Sequence, residues 1–177
     1  MTVLDAPVGQ AGPPVALPEA TSDDFVDLFR EHYPRLARAL RLAGADQWQA
    51  EDIAQEAFAR TLGHWRRVRG GPNPPGYVFR TAFRLLYKRG VLPAVEDDEP
   101  DARPDERAIS PADAAAHAVD LERALAAMPP RRRACVVLCW LLETPTGEAA
   151  EALGIADGTV RKHLEAARRD LAVSYGA

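Results

Sequence analysis

The chain has 177 residues, a hydrophobic content of 47% and a formal net charge of −4 at pH 7, so it can bury a core as one domain or as two small ones. The negative charge argues against a protein whose entire surface binds nucleic acid. No apolar run reaches membrane-spanning length, and the N-terminal stretch lacks a charged region followed by a hydrophobic one. We therefore expect a cytoplasmic protein without membrane insertion.

Charge is distributed unevenly along the chain. Residues 21–90 contain twelve basic and eight acidic side chains, residues 91–117 contain two and eight, and residues 118–177 contain eight of each. The first 20 residues are rich in proline and poor in large apolar side chains, which predicts a disordered tail. We expect an all-α protein of two small helical domains, at 21–90 and 113–177, joined by a flexible, acidic, proline-rich linker at 91–112.

The first domain opens with a helix that residues 21–24 can cap, and Pro34 is a candidate break in it. Residues 45–49 read as a short connection. The next stretch, from Ala50 to Trp65, has the apolar period of an amphipathic helix. Its opposite face carries Asp52, Gln55 and Glu56, a compact patch that could bind a basic partner. From periodicity alone, an ordinary solvated face explains the same pattern.

A cationic stretch follows that helix. Glycines and prolines between residues 66 and 76 predict an irregular loop, which carries Arg66, Arg67 and Arg69. The following helix is expected from Tyr77 to Arg89. It places Arg80, Arg84 and Lys88 in one row, flanked by Tyr77 and Tyr87. Cations can hold phosphates and aromatic rings can stack on unpaired bases, although a solvated basic stripe fits the row equally well.

The second domain shows four helical segments. The first ends at the Pro129-Pro130 pair, the second is expected from Arg131 to Leu142, and Thr144-Pro145 predicts the capped start of the third, which runs to Leu153. Gly154 should end the third helix. The last helix, from Gly158 to Val173, should bury Val160, Leu164, Ala167 and Leu171. Cys135 and Cys139 read as buried, reduced thiols.

The last two helices, joined by a short glycine-containing turn, form the pattern of a helix-turn-helix, whose second helix enters the major groove of DNA. Residues near the start of that helix can read bases or hold phosphates: Thr159, Arg161, Lys162 and His163. Arg168 and Arg169 lie further along and would contact the DNA backbone. Purely structural helices of similar pattern remain an alternative.

Two of these stretches resemble one family. AEDIAQEAF, with its acidic pair, Gln-Glu and Phe, resembles region 2 of the extracytoplasmic-function (ECF) sigma factors of the sigma-70 family. MPPRRRACVVL and GIADGTVRKHLEAARRDL resemble region 4 of the same family. The matches cover roughly residues 21–89 and 113–174 in the family's order and spacing.

The resemblance implies a sigma factor that binds core RNA polymerase through Asp52, Gln55 and Glu56. It implies that the basic loop and helix capture the melted minus-10 strand, and that the last helix binds minus-35 duplex DNA. The linker would lie in the polymerase's basic channel, although an inert tether is an alternative for the same segment. An anti-sigma factor is left open as a further partner. Tyr77, Phe83 and Arg84 depart from the family's usual Trp and Arg-Asn. We expect the free protein to bind DNA weakly, because the acidic linker can compete for the basic surfaces.

Two alternatives come from other classes of protein. GTVRKHL also resembles LuxR-type helix-turn-helix regulators, but that reading leaves AEDIAQEAF without a role. An enzyme would need a Ser/His/Asp set, a glycine-rich phosphate loop or metal-ligand spacing, and none is present. We expect no catalytic residue, metal site or cofactor.

Overall fold

The computed structural model describes residues 23–92 and 116–175. Within these ranges it contains α-helices and one π-helical segment, and no strand, so the all-α prediction is confirmed. In chain order the elements are α1 (Asp23–Leu42), α2 (Gln47–Gly63), α3 (Trp65–Val68), α4 (Pro74–Lys88), α5 (Ala116–Ala126), α6 (Pro130–Val136), the π-helical segment (Val137–Leu141), α7 (Thr146–Leu153) and α8 (Asp157–Tyr175). The predicted tail and nearly all of the predicted linker lie outside the described residues.

No helix in the described ranges is both long enough and apolar enough to cross a membrane.

Helix α2 begins three residues earlier than predicted, because a capping box fixes its start. The Asp46 side chain accepts a hydrogen bond from the Gln49 amide at 2.8 Å, and the Gln49 side chain accepts one from the Asp46 amide at 3.1 Å. This reciprocal pair satisfies two amides that the first helical turn would otherwise leave unpaired. The expected connection at 45–49 is therefore shorter, and Pro34 does not break α1.

The predicted irregular loop at 66–76 is only partly irregular. Arg66 and Arg67 lie in the short helix α3, and Pro74 already begins α4. Proline suits the first helical position because its missing amide would have no partner there. Asn73 caps the helix by accepting a hydrogen bond from the Gly76 amide at 2.9 Å. A Cβ at Gly76 would lie 2.2 Å from Asn73 Nδ2, so this cap requires glycine.

The second half of the chain departs from prediction at two helix ends. The expected continuous helix from Arg131 to Leu142 is α6 followed by the π-helical segment. Thr144 does not cap α7: the helix begins at Thr146, and the buried Thr144 hydroxyl has no hydrogen-bond partner among the described residues. Gly154 does end α7, with a left-handed φ of 67° that glycine adopts without strain.

The hydrophobic core is continuous across the two parts of the chain. Helices α1, α2 and α4 bury Leu40, Ile53 and Phe83, and the later helices bury Leu138 and Leu153. The two sets join where α4 packs against α7. The predicted inward face of α8 is confirmed: three of its four residues are buried and Leu171 is half-buried.

Cysteine and tryptophan side chains differ widely in their exposure. Cys135 and Cys139 are free thiols; Cys135 is buried as predicted, whereas Cys139 is only half-buried. Burial raises the pKa of Cys135 to about 12. Trp65 is buried beside Phe25, with ring centroids 5.2 Å apart. Trp140 is half-buried, whereas Trp48 on α2 is 76% exposed.

Candidate polymerase and DNA interfaces

The acidic face of α2 is present, and its two carboxylates already bind arginines of the same chain. Gln55 is exposed, while the side chains of Asp52 and Glu56 are 43% and 32% exposed. The guanidinium of Arg89 donates to both carboxylates, and Arg60 donates to Glu56 one turn along the same helix. Hydrogen bonding to Asp52 is the largest cause that raises the pKa of Arg89; burial opposes it, and hydrogen bonding to Glu56 adds to the increase.

Arg89 is a residue that sequence reasoning missed. It occupies the C-cap of α4, and its partners lie 37 and 33 positions earlier in the chain. No local pattern relates these positions, since the contact depends on how α4 packs against α2. The consequence is that the acidic face is less negative than its own residues suggest, and it is tied to the end of the predicted minus-10 helix.

The predicted minus-10 residues divide into an exposed set and a half-buried set. The exposed cations form no ion pair with residues 23–92 or 121–172. They are Arg66, Arg67, Arg69, Arg84 and Lys88. Tyr77, Arg80 and Tyr87 are half-buried. The single row expected on α4 is therefore split, because Arg80 faces the second half of the chain.

Helices α6 and α7 account for that partial burial. Arg80 Nη1 lies 3.6 Å from Glu148 Oε2 and 3.9 Å from Glu151 Oε2, both on α7. The guanidinium carbon of Arg131, on α6, lies 5.4 Å from the centre of the Tyr87 ring. Each contact joins the predicted minus-10 surface to the predicted minus-35 domain.

A cleft of about 420 Å³ lies beside these contacts, between α3, α4 and α7. Its walls include Arg67, Asn73, Tyr77 and Arg80 from the first half of the chain, and Glu148 from the second. The walls thus combine cations with an aromatic ring, and one carboxylate.

One departure from the family pattern has a structural explanation. Phe83 is fully buried in the core between α1, α2 and α4, so it contributes packing and no exposed polar group. Arg84, the next residue, is exposed. Of these two residues, only Arg84 is therefore accessible for the predicted minus-10 contact.

The helix-turn-helix is formed by α7 and α8, with the predicted residues in the first two turns of α8. Arg161 and Lys162 are exposed, and Thr159 and His163 are half-buried. Arg161 pairs with Asp157 one turn earlier at 2.6 Å, with 70% of its side chain exposed. Such an exposed ion pair within one helix is weak. The Arg161 guanidinium can therefore release Asp157 and bind another anion instead.

Two further contacts orient α8. Arg168, predicted to touch the DNA backbone, is exposed, and its guanidinium carbon lies 5.8 Å from the centre of the Trp140 ring. Arg132 on α6, which sequence reasoning did not single out, pairs with Asp170 at 2.6 Å while its own side chain is only 8% exposed. In the sequence, the three arginines at the start of α6 indicate positive charge, but nothing in their pattern indicates that Arg132 is buried.

The described residues contain no group of three or more His, Cys, Asp or Glu side chains placed to hold a metal ion.

Family models match both halves of the chain. The model described as sigma-70 region 2 matches residues 28–89, and that described as sigma-70, region 4 matches residues 118–171. The region 2 match covers the stretch that a LuxR-type reading leaves without a role, so that alternative is not favoured.

Curated relatives and a solved structure agree with these matches. The ECF RNA polymerase sigma factor SigE of Mycolicibacterium smegmatis is 32% identical, over 94% of this chain and 67% of that protein. The RNA polymerase sigma-E factor of Streptomyces avermitilis is 30% identical, over 81% and 80%. The fold is similar to that of the sigma factor RpoE from Bartonella quintana, solved in complex with the anti-sigma factor NepR: the TM-score is 0.62 at 19% identity, over 86% of this chain and 97% of that one. The chain therefore belongs to the ECF sigma factors of the sigma-70 family and acts with core RNA polymerase in promoter recognition and transcription initiation.

Proposed function

We propose that three separate surfaces divide the work of transcription initiation in this chain. Residues 21–90 act as region 2, binding polymerase and the minus-10 strand, and residues 113–177 act as region 4, binding minus-35 duplex DNA. The segment 91–112 connects them. The observation that carries this proposal is the segregation of charge: an acidic face on α2, exposed cations on α3 and α4, and cations at the start of α8.

The polymerase surface consists of Asp52, Gln55 and Glu56. Gln55 is the best probe of it, because its side chain is exposed and its loss leaves the Arg89 ion pairs intact. Gln55→Ala should reduce co-purification with core polymerase. Asp27→Asn on α1 is the matched control, since Asp27 is exposed and lies off this face. Equal retention of Gln55→Ala and the control would remove α2 from the polymerase interface.

The minus-10 surface comprises Arg66, Arg67, Arg69, Tyr77, Arg80, Arg84, Tyr87 and Lys88. Cations placed along a strand hold its phosphates, and the two tyrosine rings offer stacking surfaces. Arg84→Ala should slow promoter opening and leave minus-35 duplex binding unchanged, as followed by permanganate reactivity and by gel shift. Loss of both activities together would contradict the division into two DNA-binding surfaces.

The minus-35 surface comprises Thr159, Arg161, Lys162, His163 and Arg168 on α8. Arg161→Ala should cost about 1–3 kcal/mol of duplex binding and relax specificity at one base position if the guanidinium reads a base edge. Arg169→Ala, an exposed cation further along the same helix, is the control for a simple loss of charge. Affinities for a set of single-base promoter variants distinguish the two, because only base reading gives a position-dependent loss.

We further propose that the chain has no catalytic activity of its own and works in the cytoplasm, where polymerase and promoter DNA are found. An anti-sigma factor is a third partner to test by co-purification; the matched Bartonella quintana sigma factor was solved with one.

A further inference from the structure

Two large apolar side chains are exposed in the part of the chain that the structure describes. Phe29 is 37% exposed, but its ring stacks on Tyr33 with centroids 4.8 Å apart and meets the Phe58 ring edge-on at 5.0 Å. Trp48 is 76% exposed, and no aromatic ring or guanidinium among the described residues contacts its indole. Packing within the protein therefore accounts for Phe29 but not for Trp48.

The formation of α2 does not require a tryptophan at position 48. Asp46 and Gln49, on either side of it, fix the start of the helix because each side chain accepts a hydrogen bond from the other's backbone amide. Tryptophan is only a moderate helix former, and a side chain that remains mostly in water gains little from folding. Neither the cap nor the core therefore explains an indole at this position.

Trp48 lies on the same face of α2 as Asp52 and Gln55. These residues follow it by four and seven positions, which is about one and two turns, so the three side chains leave the helix within about 60° of one another. Buried residues of α2, such as Ala50 and Ala57, lie on the opposite side. Along the helix axis Trp48 is about 6 Å from Asp52 and about 10 Å from Gln55. The indole therefore forms the N-terminal end of the proposed polymerase surface.

Charge alone gives this surface little attraction for a partner. Asp52 and Glu56 both accept hydrogen bonds from Arg89, and Glu56 also accepts one from Arg60. A basic partner has to share or displace these two arginines, and ion pairs with this much solvent exposure contribute little. The exposed indole of Trp48 supplies what the carboxylates lack, which is a large apolar area that a partner can bury.

We propose that Trp48 is the apolar anchor of the polymerase surface on α2. Its indole occupies an apolar recess of core RNA polymerase, next to basic side chains of the polymerase that meet Asp52 and Glu56. This inference rests on the polymerase role of α2 proposed above and extends that surface by one helical turn. Tryptophan is enriched among the few residues that dominate binding energy at protein interfaces, where polar contacts surround a buried ring. An acidic face with an exposed indole at one end has this composition.

The test measures the affinity of the full chain, labelled at its N-terminus, for purified core polymerase by fluorescence anisotropy. Trp48→Ala should weaken binding roughly 10- to 100-fold. Trp48→Phe should weaken it less, because a phenyl ring keeps part of the apolar area. Gln47→Ala is the matched control, since Gln47 is exposed in the same helical turn and points about 100° away from Trp48. Unchanged affinity of Trp48→Ala, or an equal loss in the control, would overturn the proposal.

Salt dependence and stability distinguish an apolar anchor from a charged or a structural residue. The factor lost in Trp48→Ala should be similar at low and high salt because the burial of an apolar ring is not screened, whereas the factor lost in Asp52→Asn should shrink. Because Trp48 is exposed, Trp48→Ala should keep the urea midpoint of the wild type. A binding loss that vanishes at high salt, or a lowered midpoint, would contradict the anchor.

Comparison with Gln55→Ala separates this inference from the proposal beneath it. If Gln55→Ala weakens polymerase binding and Trp48→Ala does not, the polymerase role of α2 stands and the anchor is absent. If neither variant weakens binding, both proposals fail.

Other occupants of the indole give different results. If Trp48→Ala lowers self-association in sedimentation and leaves polymerase binding unchanged, a second copy of the chain is the partner and the proposal is overturned. Slow quenching of Trp48 by acrylamide in the free chain would show that a segment of the same chain covers the indole, which would also overturn it.

Discussion

Arg132 on α6 and Asp170 on α8 form an ion pair at 2.6 Å, in which the arginine side chain is 8% exposed and the aspartate 43%. The pair links α8 to α6. Replacing Asp170 by Asn removes the anion from a nearly buried cation, which is more costly than losing a surface pair. We expect a loss of about 1–2 kcal/mol in the free energy of unfolding, measured by urea denaturation.

Glu165→Asn is the control for that measurement, since Glu165 is an exposed acid on the same helix. An equal effect of both substitutions would show that helix propensity, rather than the ion pair, determines the loss.

Arg89 and Asp52 provide a test of coupling between α4 and α2. A double-mutant cycle with Arg89→Met and Asp52→Asn should give a coupling energy of about 0.5–1 kcal/mol, because both side chains retain substantial solvent exposure. Urea unfolding gives the free energy of unfolding of the wild type, the two single variants and the double variant, each at low and at high salt. The coupling should shrink as salt rises, and a salt-independent value would mean that packing, rather than charge, connects the two residues.

Gly147, in the first turn of α7, and Gly154, just after its end, should respond oppositely to substitution by alanine. Gly154 has a φ of 67°, so Gly154→Ala should destabilise the protein by about 1–2 kcal/mol although its surroundings are open. Gly147 is in the first turn of the helix with nothing within 4 Å of an added Cβ and no positive φ. Gly147→Ala should therefore stabilise it by about 0.4–1 kcal/mol. Thermal unfolding of the two variants checks the opposite signs.

The contribution of His32 to the stability of the folded protein depends on pH. Burial, with a further contribution from Arg35, lowers the pKa of His32 in the folded protein, against an opposing effect of Glu31. The charged imidazole is therefore disfavoured in the folded state. The stabilisation from this residue is complete above the unfolded pKa of about 6.5 and is lost as pH falls below that value.

Urea midpoints at pH 7.5 and pH 5.5 measure that dependence for the wild type and for His32→Gln. The variant should lose less stability on acidification than the wild type. If the wild type and His32→Gln respond identically to pH, other groups account for the acid sensitivity.

Periodicity and breakers were sufficient to predict the helical class, the buried stripe of α8 and the end of α7. They were less reliable where a residue has two uses. Pro74 and Pro75 suggest a loop by composition, yet proline also suits the first turn of a helix when Asn73 can cap it. Thr144 has the chemistry of a cap but lies buried one residue too early.

Contacts between distant helices were beyond the reach of sequence patterns. Arg89 was expected simply as the end of a basic helix, and its engagement with Asp52 depends on the packing of α4 against α2. Likewise Arg80 has the same local spacing as Arg84, but only Arg80 meets carboxylates from α7. Spacing along a helix indicates which side chains share a face; it does not identify what that face will touch.

Because Trp48, Trp65 and Trp140 differ in exposure, their intrinsic fluorescence can report on different parts of the protein. Acrylamide should quench the emission of Trp48 at once, reach Trp140 more slowly and leave Trp65 until the first helices separate. Since Trp65 reports on the N-terminal helices and Trp140 on the C-terminal ones, a quenching titration along a denaturation curve would resolve whether the two halves melt together, without any attached dye.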